Sequence, residues 1–132
     1  MTEITAISGA KVFINPADFQ DAMNLKTAVI RELVRSQAIA NIDFSADVKT
    51  LAAMALTVDS SVEVYEALWP CLARCLYKDE KITKKTFEAV ESRRDFYPIA
   101  LGCMKENVSP FFDGLLFVFK ELQAAIKSGS LK

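Results

Sequence analysis

The chain has 132 residues, the length of one domain, and a chain of that size buries roughly two-thirds of the surface that its unfolded form exposes. Hydrophobic residues make up 52% of the sequence and charged residues 25%, a globular balance that excludes a disordered or fibrous protein. The formal net charge of −1 argues against a protein built mainly to hold nucleic acid or an anionic membrane, because such binding requires an excess of Lys and Arg over acids.

The residue types that carry most enzyme chemistry are scarce. The chain has no histidine, which removes the commonest general base and the commonest metal ligand. Cys71, Cys75 and Cys103 are an odd number of thiols, and we expect them to be free and buried in a reducing compartment. A zinc site lacks its fourth ligand, and there is no Gly-rich phosphate loop or nucleophile elbow. We therefore expect no catalytic activity, no cofactor and no metal.

The N-terminal sequence does not resemble a secretory signal. It has an acid at position 3 and no long apolar run. The longest apolar run in the chain, Leu115–Phe119, is far shorter than a membrane span. We therefore expect a soluble protein of the cytoplasm.

Residues 1–15 predict an extended lead or a small hairpin, because two short β-prone runs, 4–7 and 12–14, flank a Ser-Gly pair. The NPAD run that follows predicts a helix start, with Asn15 as the capping residue and Pro16 at the first helical position. Apolar residues at helical spacing then predict a half-buried helix to about residue 35. Its inward stripe is expected to contain Phe19, Met23, Ile30, Leu33 and Val34, with Ala22 and Val29 beside them.

The next stretch predicts a loop and a short helix. The helical periodicity lapses over residues 36–44, and the Ser-Ala-Asp run at 45–47 is typical of a helix cap. Residues 48–58 are apolar with few charges. We therefore expect a short helix there that is buried on much of its surface.

A third helix is predicted from the serines that follow. Ser60, with Glu63 three residues later, predicts a capping box, and apolar residues then recur at helical spacing to Leu76. Pro70 lies inside this pattern and predicts a kink or a restart, because proline removes one backbone hydrogen bond and crowds the preceding turn. A polar connection is predicted at 77–81.

The last third of the chain predicts three more helices: a surface helix at 84–94, a helix at 95–107, and a last helix that ends near residue 127. The Ser109-Pro110 pair predicts the start of the last helix, since it combines a cap with a proline. Residues 128–132 are expected to form a flexible tail. The sequence as a whole predicts an all-α fold, a compact bundle of about six helices in which residues 1–132 form a single domain.

The last helix begins with the apolar run SPFFDGLLFVF, residues 109–119, whose burial decides the functional interpretation. Helical spacing predicts a broad inward face made of Phe111, Leu115, Val118, Leu122 and Ile126, widened by Phe112, Leu116 and Phe119. We expect the phenylalanines of that face to be buried. Phe117 instead lines up with the polar side. Either the helix is buried all round its first half, or Phe117 is exposed and contacts another molecule.

Three stretches together span most of the chain: FINPADFQDAMNLKTAVIREL, EVYEALWPCLARCLYKDEKITKKTFE and RRDFYPIALGCMKENVSPFFDGL. They are similar to the tail assembly chaperones of long, non-contractile-tailed bacteriophages and related prophages. The resemblance implies a small, helical, non-enzymatic protein of the bacterial host cytoplasm. Its partners would be the tape measure protein, which it keeps soluble, and the tail tube protein, recruited directly or through a longer frameshifted form.

The expected contact residues on this interpretation are Phe117, Leu116, Phe112 and Trp69, all apolar. A tape measure chain is long and exposes apolar helix faces, so a helper should present apolar helix faces of its own. Near-neutral net charge suits repeated side-by-side association, and we expect self-association, with no binding to nucleic acid or membrane.

The alternative from another class is a small all-α DNA-binding regulator. It would use the surface helix at 84–94, whose basic residues are Lys84, Lys85, Arg93 and Arg94. The acids on the same helix would face phosphates, and it has no Asn or Gln to read adenine. Salt separates the two functions, since DNA affinity falls steeply as salt rises and apolar capture hardly changes.

Overall fold

The computed structural model describes residues 2–36 and 48–127, which form one antiparallel sheet of four strands and five helices. The strands, in their order across the sheet, are β1 (Thr2–Thr5), β2 (Lys11–Ile14), β3 (Leu76–Tyr77) and β4 (Glu80–Lys81). The helices are α1 (Phe19–Arg35), α2 (Val48–Ser60), α3 (Val62–Leu72), α4 (Val90–Arg93) and α5 (Phe96–Lys127). The prediction of an all-α six-helix bundle is therefore wrong, because a sheet covers part of the helical core.

The first two strands form a hairpin, so residues 1–15 are not merely an extended lead. Gly9 has a φ of +89°, and the Ala6 amide donates to the Ala10 carbonyl at 2.9 Å to close the turn. Val12 and Ile14 are fully buried while the residues beside them in β2 are not. Because alternate side chains of a strand point to opposite faces, one face of the hairpin packs on the helices.

The second pair of strands occupies the predicted polar connection at 77–81. Lys78 and Asp79 have φ values of 53° and 65°, the two left-handed positions that a tight two-residue hairpin requires. Tyr77 pairs with Val12 of β2, which attaches this small hairpin to the first one. No sequence pattern predicts this hairpin, because its turn lacks Asn-Gly and each strand has only two residues.

Helix α1 begins later than predicted and buries a different stripe. Its cap is Asp18, whose carboxylate accepts from the Asp21 amide at 3.0 Å, whereas Asn15 donates its side chain to the Arg74 carbonyl at 2.9 Å. The buried residues are Ala22, Leu25, Ala28, Val29, Glu32 and Leu33. Phe19 and Val34, which were predicted to point inward, are 67% and 55% exposed.

Helices α2 and α3 meet at Ser61, which is the cap of α3 and accepts from the Val64 amide at 3.2 Å. The predicted capping box at Ser60 is therefore wrong by one residue. Helix α3 contains Pro70 in its last turn and ends at Leu72 instead of Leu76. The predicted loop and cap at 36–47 lie outside the described residues from position 37 onward, and so does the predicted tail at 128–132.

The last third of the chain differs most from the prediction. The expected helix at 84–94 is a turn followed by the four residues of α4. The two helices expected after it form a single helix, because α5 continues through Pro110 and has 32 residues in total. Ser109, predicted to cap a new helix, has a buried hydroxyl with no hydrogen-bond partner in the described part of the chain.

The core lies between the sheet and helices α1, α2, α3 and α5. Its largest fully buried side chains are Phe112, Ile14, Leu25, Leu33, Met54, Leu68, Leu72, Ile82, Ile99 and Met104. The three cysteines are free and fully buried within it, as the sequence predicts.

A buried carboxylate joins the sheet to the start of α5. Asp95 is fully buried, and its carboxylate accepts from the Ser8 amide at 3.0 Å, the Ser8 hydroxyl at 2.5 Å and the Tyr77 hydroxyl at 2.6 Å. Burial raises the pKa of Asp95, but the hydrogen bonds from Ser8 and Tyr77 outweigh it, and the pKa lies below its usual value. The charged form therefore ties the first hairpin turn, β3 and α5 together.

We expect this carboxylate to make the fold acid-sensitive. Because its pKa is lower in the folded chain than in the unfolded one, its stabilisation is complete above pH about 4 and is lost as pH falls through the folded pKa. Tyr77→Phe removes one hydrogen bond to the charge and should cost about 1.5–3 kcal/mol at neutral pH. Asp95→Asn should destabilise the fold more than Tyr77→Phe does. It should also make the free energy of unfolding fall less steeply as the pH is lowered into the acid range. Asp113→Asn, an exposed site on α5, is the control, and an equal effect there would contradict the assignment.

Two glycines of α5 give a matched test of its packing. A Cβ at Gly102 would lie 3.1 Å from Ile4 Cδ1 and 3.6 Å from Ile14, whereas a Cβ at Gly114 would meet nothing within 4 Å. Gly102→Leu should therefore destabilise by about 1–3 kcal/mol through overpacking against the hairpin. Gly114→Leu should stabilise by about 0.5–1 kcal/mol, because leucine restricts the unfolded chain and favours helix. Urea unfolding of both variants measures this, and a Gly102→Leu variant that is as stable as the wild type would show that α5 does not depend on close approach at position 102.

Candidate functional site: the exposed end of α5

Helix α5 is buried in its first half and exposed in its second. Its buried residues end at Phe112. From residue 113 to residue 127 every side chain is exposed except Leu116 and Ala125, which are half-buried. This segment, which we call the arm, is about 22 Å long.

One side of the arm carries a row of large apolar side chains, which we call the apolar stripe. It consists of Leu115, Val118, Leu122 and Ile126, exposed by 41%, 61%, 44% and 57%. Monomeric proteins seldom leave a continuous apolar row of this kind in water unless it is an interaction surface. The stripe is therefore the strongest candidate for a binding surface in the described residues.

The stripe continues into a groove between α1 and α5. The groove has a volume of about 400 Å³ and is lined by Met23, Lys26, Pro110, Phe111, Gly114, Leu115 and Val118. Phe111 packs against Phe19 with ring centroids 5.9 Å apart, and the Lys26 ammonium lies 5.8 Å from the centre of the Phe111 ring. The half-buried Phe111 therefore forms the floor where the groove meets the stripe.

The structure separates the four predicted contact residues. Phe117 is 65% exposed on the arm, Leu116 is half-buried, and Phe112 is only 1% exposed and belongs to the core. Trp69 is half-buried and packs on Phe96 at 6.3 Å. Phe96 lies about 25 Å along α5 from the start of the arm. Of the four, only Phe117 and Leu116 belong to the arm, and only Phe117 is exposed there.

The burial predicted for the phenylalanines is right for one of three. Phe112 is buried, Phe111 is half-buried, and Phe119 is 50% exposed. The sequence also placed Leu122 and Ile126 inward, so it missed the main exposed surface. No sequence signal distinguishes these residues from the buried ones of the same helix, because they continue the same helical spacing.

Trp69 belongs to an aromatic cluster that packs the outside of α3 against the start of α5. Its ring lies 5.7 Å from Tyr65 and 6.3 Å from Phe87, and its indole N–H is buried without a hydrogen-bond partner among the described residues. Tyr97, next to the cluster, donates to the Asp59 carboxylate at 2.7 Å. These contacts hold α3, α2 and α5 together, and they leave no opening toward the indole nitrogen.

The thiols are positioned for packing. Hydrogen bonds with Cys71 and Cys75, together with burial, raise the pKa of Cys103 well above its usual value, while the bond from Cys103 lowers the pKa of Cys75. All three are fully buried, so reagents do not reach them. Within residues 2–36 and 48–127 there is no group of His, Cys, Asp or Glu side chains arranged to hold a metal ion.

The basic residues of the DNA-binding alternative do not share a helix. Lys85 lines a polar hollow of about 280 Å³ beside the β3–β4 hairpin, together with Lys78, Lys81 and the acidic Glu80. Arg93 donates to the carbonyls of Phe87 and Glu88 at 3.2 and 3.0 Å, so its guanidinium is occupied within the chain. A recognition helix at 84–94 is absent, since only four of its residues are helical.

Comparison with known proteins finds no matching family model, no matching curated protein and no matching solved structure. None of the helices in the described ranges combines the length and apolarity that crossing a membrane requires.

Proposed function

We propose that this protein is a tail assembly chaperone of a long-tailed, non-contractile bacteriophage or prophage. It binds the tape measure protein in the host cytoplasm, keeps that chain soluble, and helps to recruit tail tube subunits directly or through a longer frameshifted form. The observation that carries the proposal is the apolar stripe of the arm, which the fold leaves uncovered. The three stretches similar to tail assembly chaperones give the proposal its particular target.

The stripe and its groove have the form of a helix-binding surface. Leu115, Val118, Leu122 and Ile126 are spaced at three and four residues, so a target helix laid beside the arm contacts them in succession. The groove floor at Phe111 extends this contact line toward the body of the protein. A helix with its own apolar face fits this surface, and a tape measure chain offers many such helices.

The size of the stripe suits reversible capture. Fully burying a Val or Leu side chain contributes about 1.5–3 kcal/mol, and these four are already partly covered. Association costs several kcal/mol in lost freedom of motion, which offsets much of that gain for one copy on one helix. Many copies can bind along one long target, because a net charge of −1 causes little repulsion between neighbouring copies. Together they protect the target, and each copy can still be displaced.

A matched pair of substitutions tests the proposal. Val118 of the stripe and Val90 of α4 are both exposed, by 61% and 72%. Val118→Asp should reduce capture of the tape measure protein at least about tenfold, because a carboxylate is then buried against an apolar helix. Val90→Asp makes the same chemical change outside the stripe and should leave capture unchanged. The measurement is coexpression of each variant with the tape measure protein of the same phage or prophage, followed by the soluble fraction and pull-down of that protein.

Salt dependence and fold controls complete the test. Both variants should unfold at the wild-type urea concentration, since neither valine is in the core. Capture by the wild type should change little between about 50 and 200 mM salt, whereas duplex DNA binding would fall steeply. Equal capture by the two variants, or a tape measure protein that stays insoluble with the wild type, would contradict the proposal.

A further inference from the structure

The side of the arm opposite the apolar stripe is neither simply polar nor simply apolar. We call it the mixed face, and its residues are Asp113, Phe117, Lys120, Glu121, Ala124 and Lys127. All six are exposed, and Phe117 by 65%. At about 100° per residue this row lies on the far side of the helix from the stripe. No ion pair within the described part of the chain involves any of its four charged residues.

The order of charges along the mixed face is self-complementary in one direction only. The face begins with an acid at Asp113, has a base and an acid together at Lys120 and Glu121, and ends with a base at Lys127. Two copies placed side by side in parallel bring like charges together at every one of these positions. Two copies placed antiparallel bring opposite charges together instead, so the pattern favours an antiparallel pair.

We propose that a second copy of this chain pairs with the first along the mixed face, antiparallel and centred between Lys120 and Glu121. In this register Phe117 lies on Ala124 of the second copy, so a large side chain meets a small one at both ends of the contact. Lys120 then faces Glu121 of the second copy. Asp113 comes within one residue of Lys127 of the second copy.

The two kinds of residue have different tasks in this pair. Exposed ion pairs are individually weak, so the charges fix direction and register while burial of Phe117 supplies most of the affinity. The symmetry is two-fold, which gives a closed pair and not a filament. The apolar stripe stays uncovered on the outside of each arm, so the pair is independent of the proposed function and compatible with it.

Charge exchange between neighbouring residues tests the register. Lys120→Glu alone places an acid against Glu121 of the second copy, and Glu121→Lys alone places a base against Lys120 of the second copy. Each variant should dimerise at least about tenfold more weakly than the wild type, because two contacts become repulsive per pair. The double variant K120E/E121K, and an equimolar mixture of the two single variants, should both recover wild-type dimerisation. Sedimentation velocity over a concentration series measures all of these.

Three further variants separate this inference from a structural effect and from target capture. Lys105→Glu changes the same charge at an exposed site of α5 outside the arm and should leave dimerisation unchanged. Phe117→Ala should weaken the pair and spare capture of the tape measure protein, while Val118→Asp should do the reverse. A wild type that stays monomeric at its highest soluble concentration, single charge variants that dimerise normally, or loss of the dimer in Val118→Asp alone would each overturn the pairing along the mixed face.

Discussion

The length of α5 relative to the body that it crosses is the constraint on which the rest of the structure depends. A helix of 32 residues is about 48 Å long, whereas a domain of this size has a diameter of roughly 36 Å. The first half is fixed, because Gly102 lets it approach the hairpin and Asp95 binds its start to the sheet. The surplus length must therefore leave the body at the other end, beyond Phe112.

The sequence predicted the existence of the main helices better than their limits. Periodicity located α1, α2, α3 and the apolar rows of α5, but caps were displaced by one to three residues because Asn, Asp and Ser neighbours compete for the same role. The β3–β4 hairpin was missed because Lys78 and Asp79 adopt left-handed backbone without the glycine or asparagine that signals it. Ser109-Pro110 has the composition of a helix start, and tertiary packing nevertheless carried the helix through it.

The candidate site was predictable only in part for a related reason. A row of apolar side chains indicates that a helix face is buried. It does not indicate whether that face packs against the same chain or against another protein. Leu122 and Ile126 were thus assigned to the core, and Phe117, whose position left burial and exposure both open, is exposed. Burial depends on how far neighbouring elements extend, and the buried residues of α5 end at Phe112.

Pro110 stands at the boundary between the two halves of α5, and its lack of an amide hydrogen leaves the carbonyl four residues earlier without its helical donor. A helix that lacks one backbone hydrogen bond bends more readily at that turn than elsewhere. Phe112, two residues beyond Pro110, is buried in the core. Core packing therefore restrains this turn on both sides, and the arm leaves the body in a direction that the fold sets.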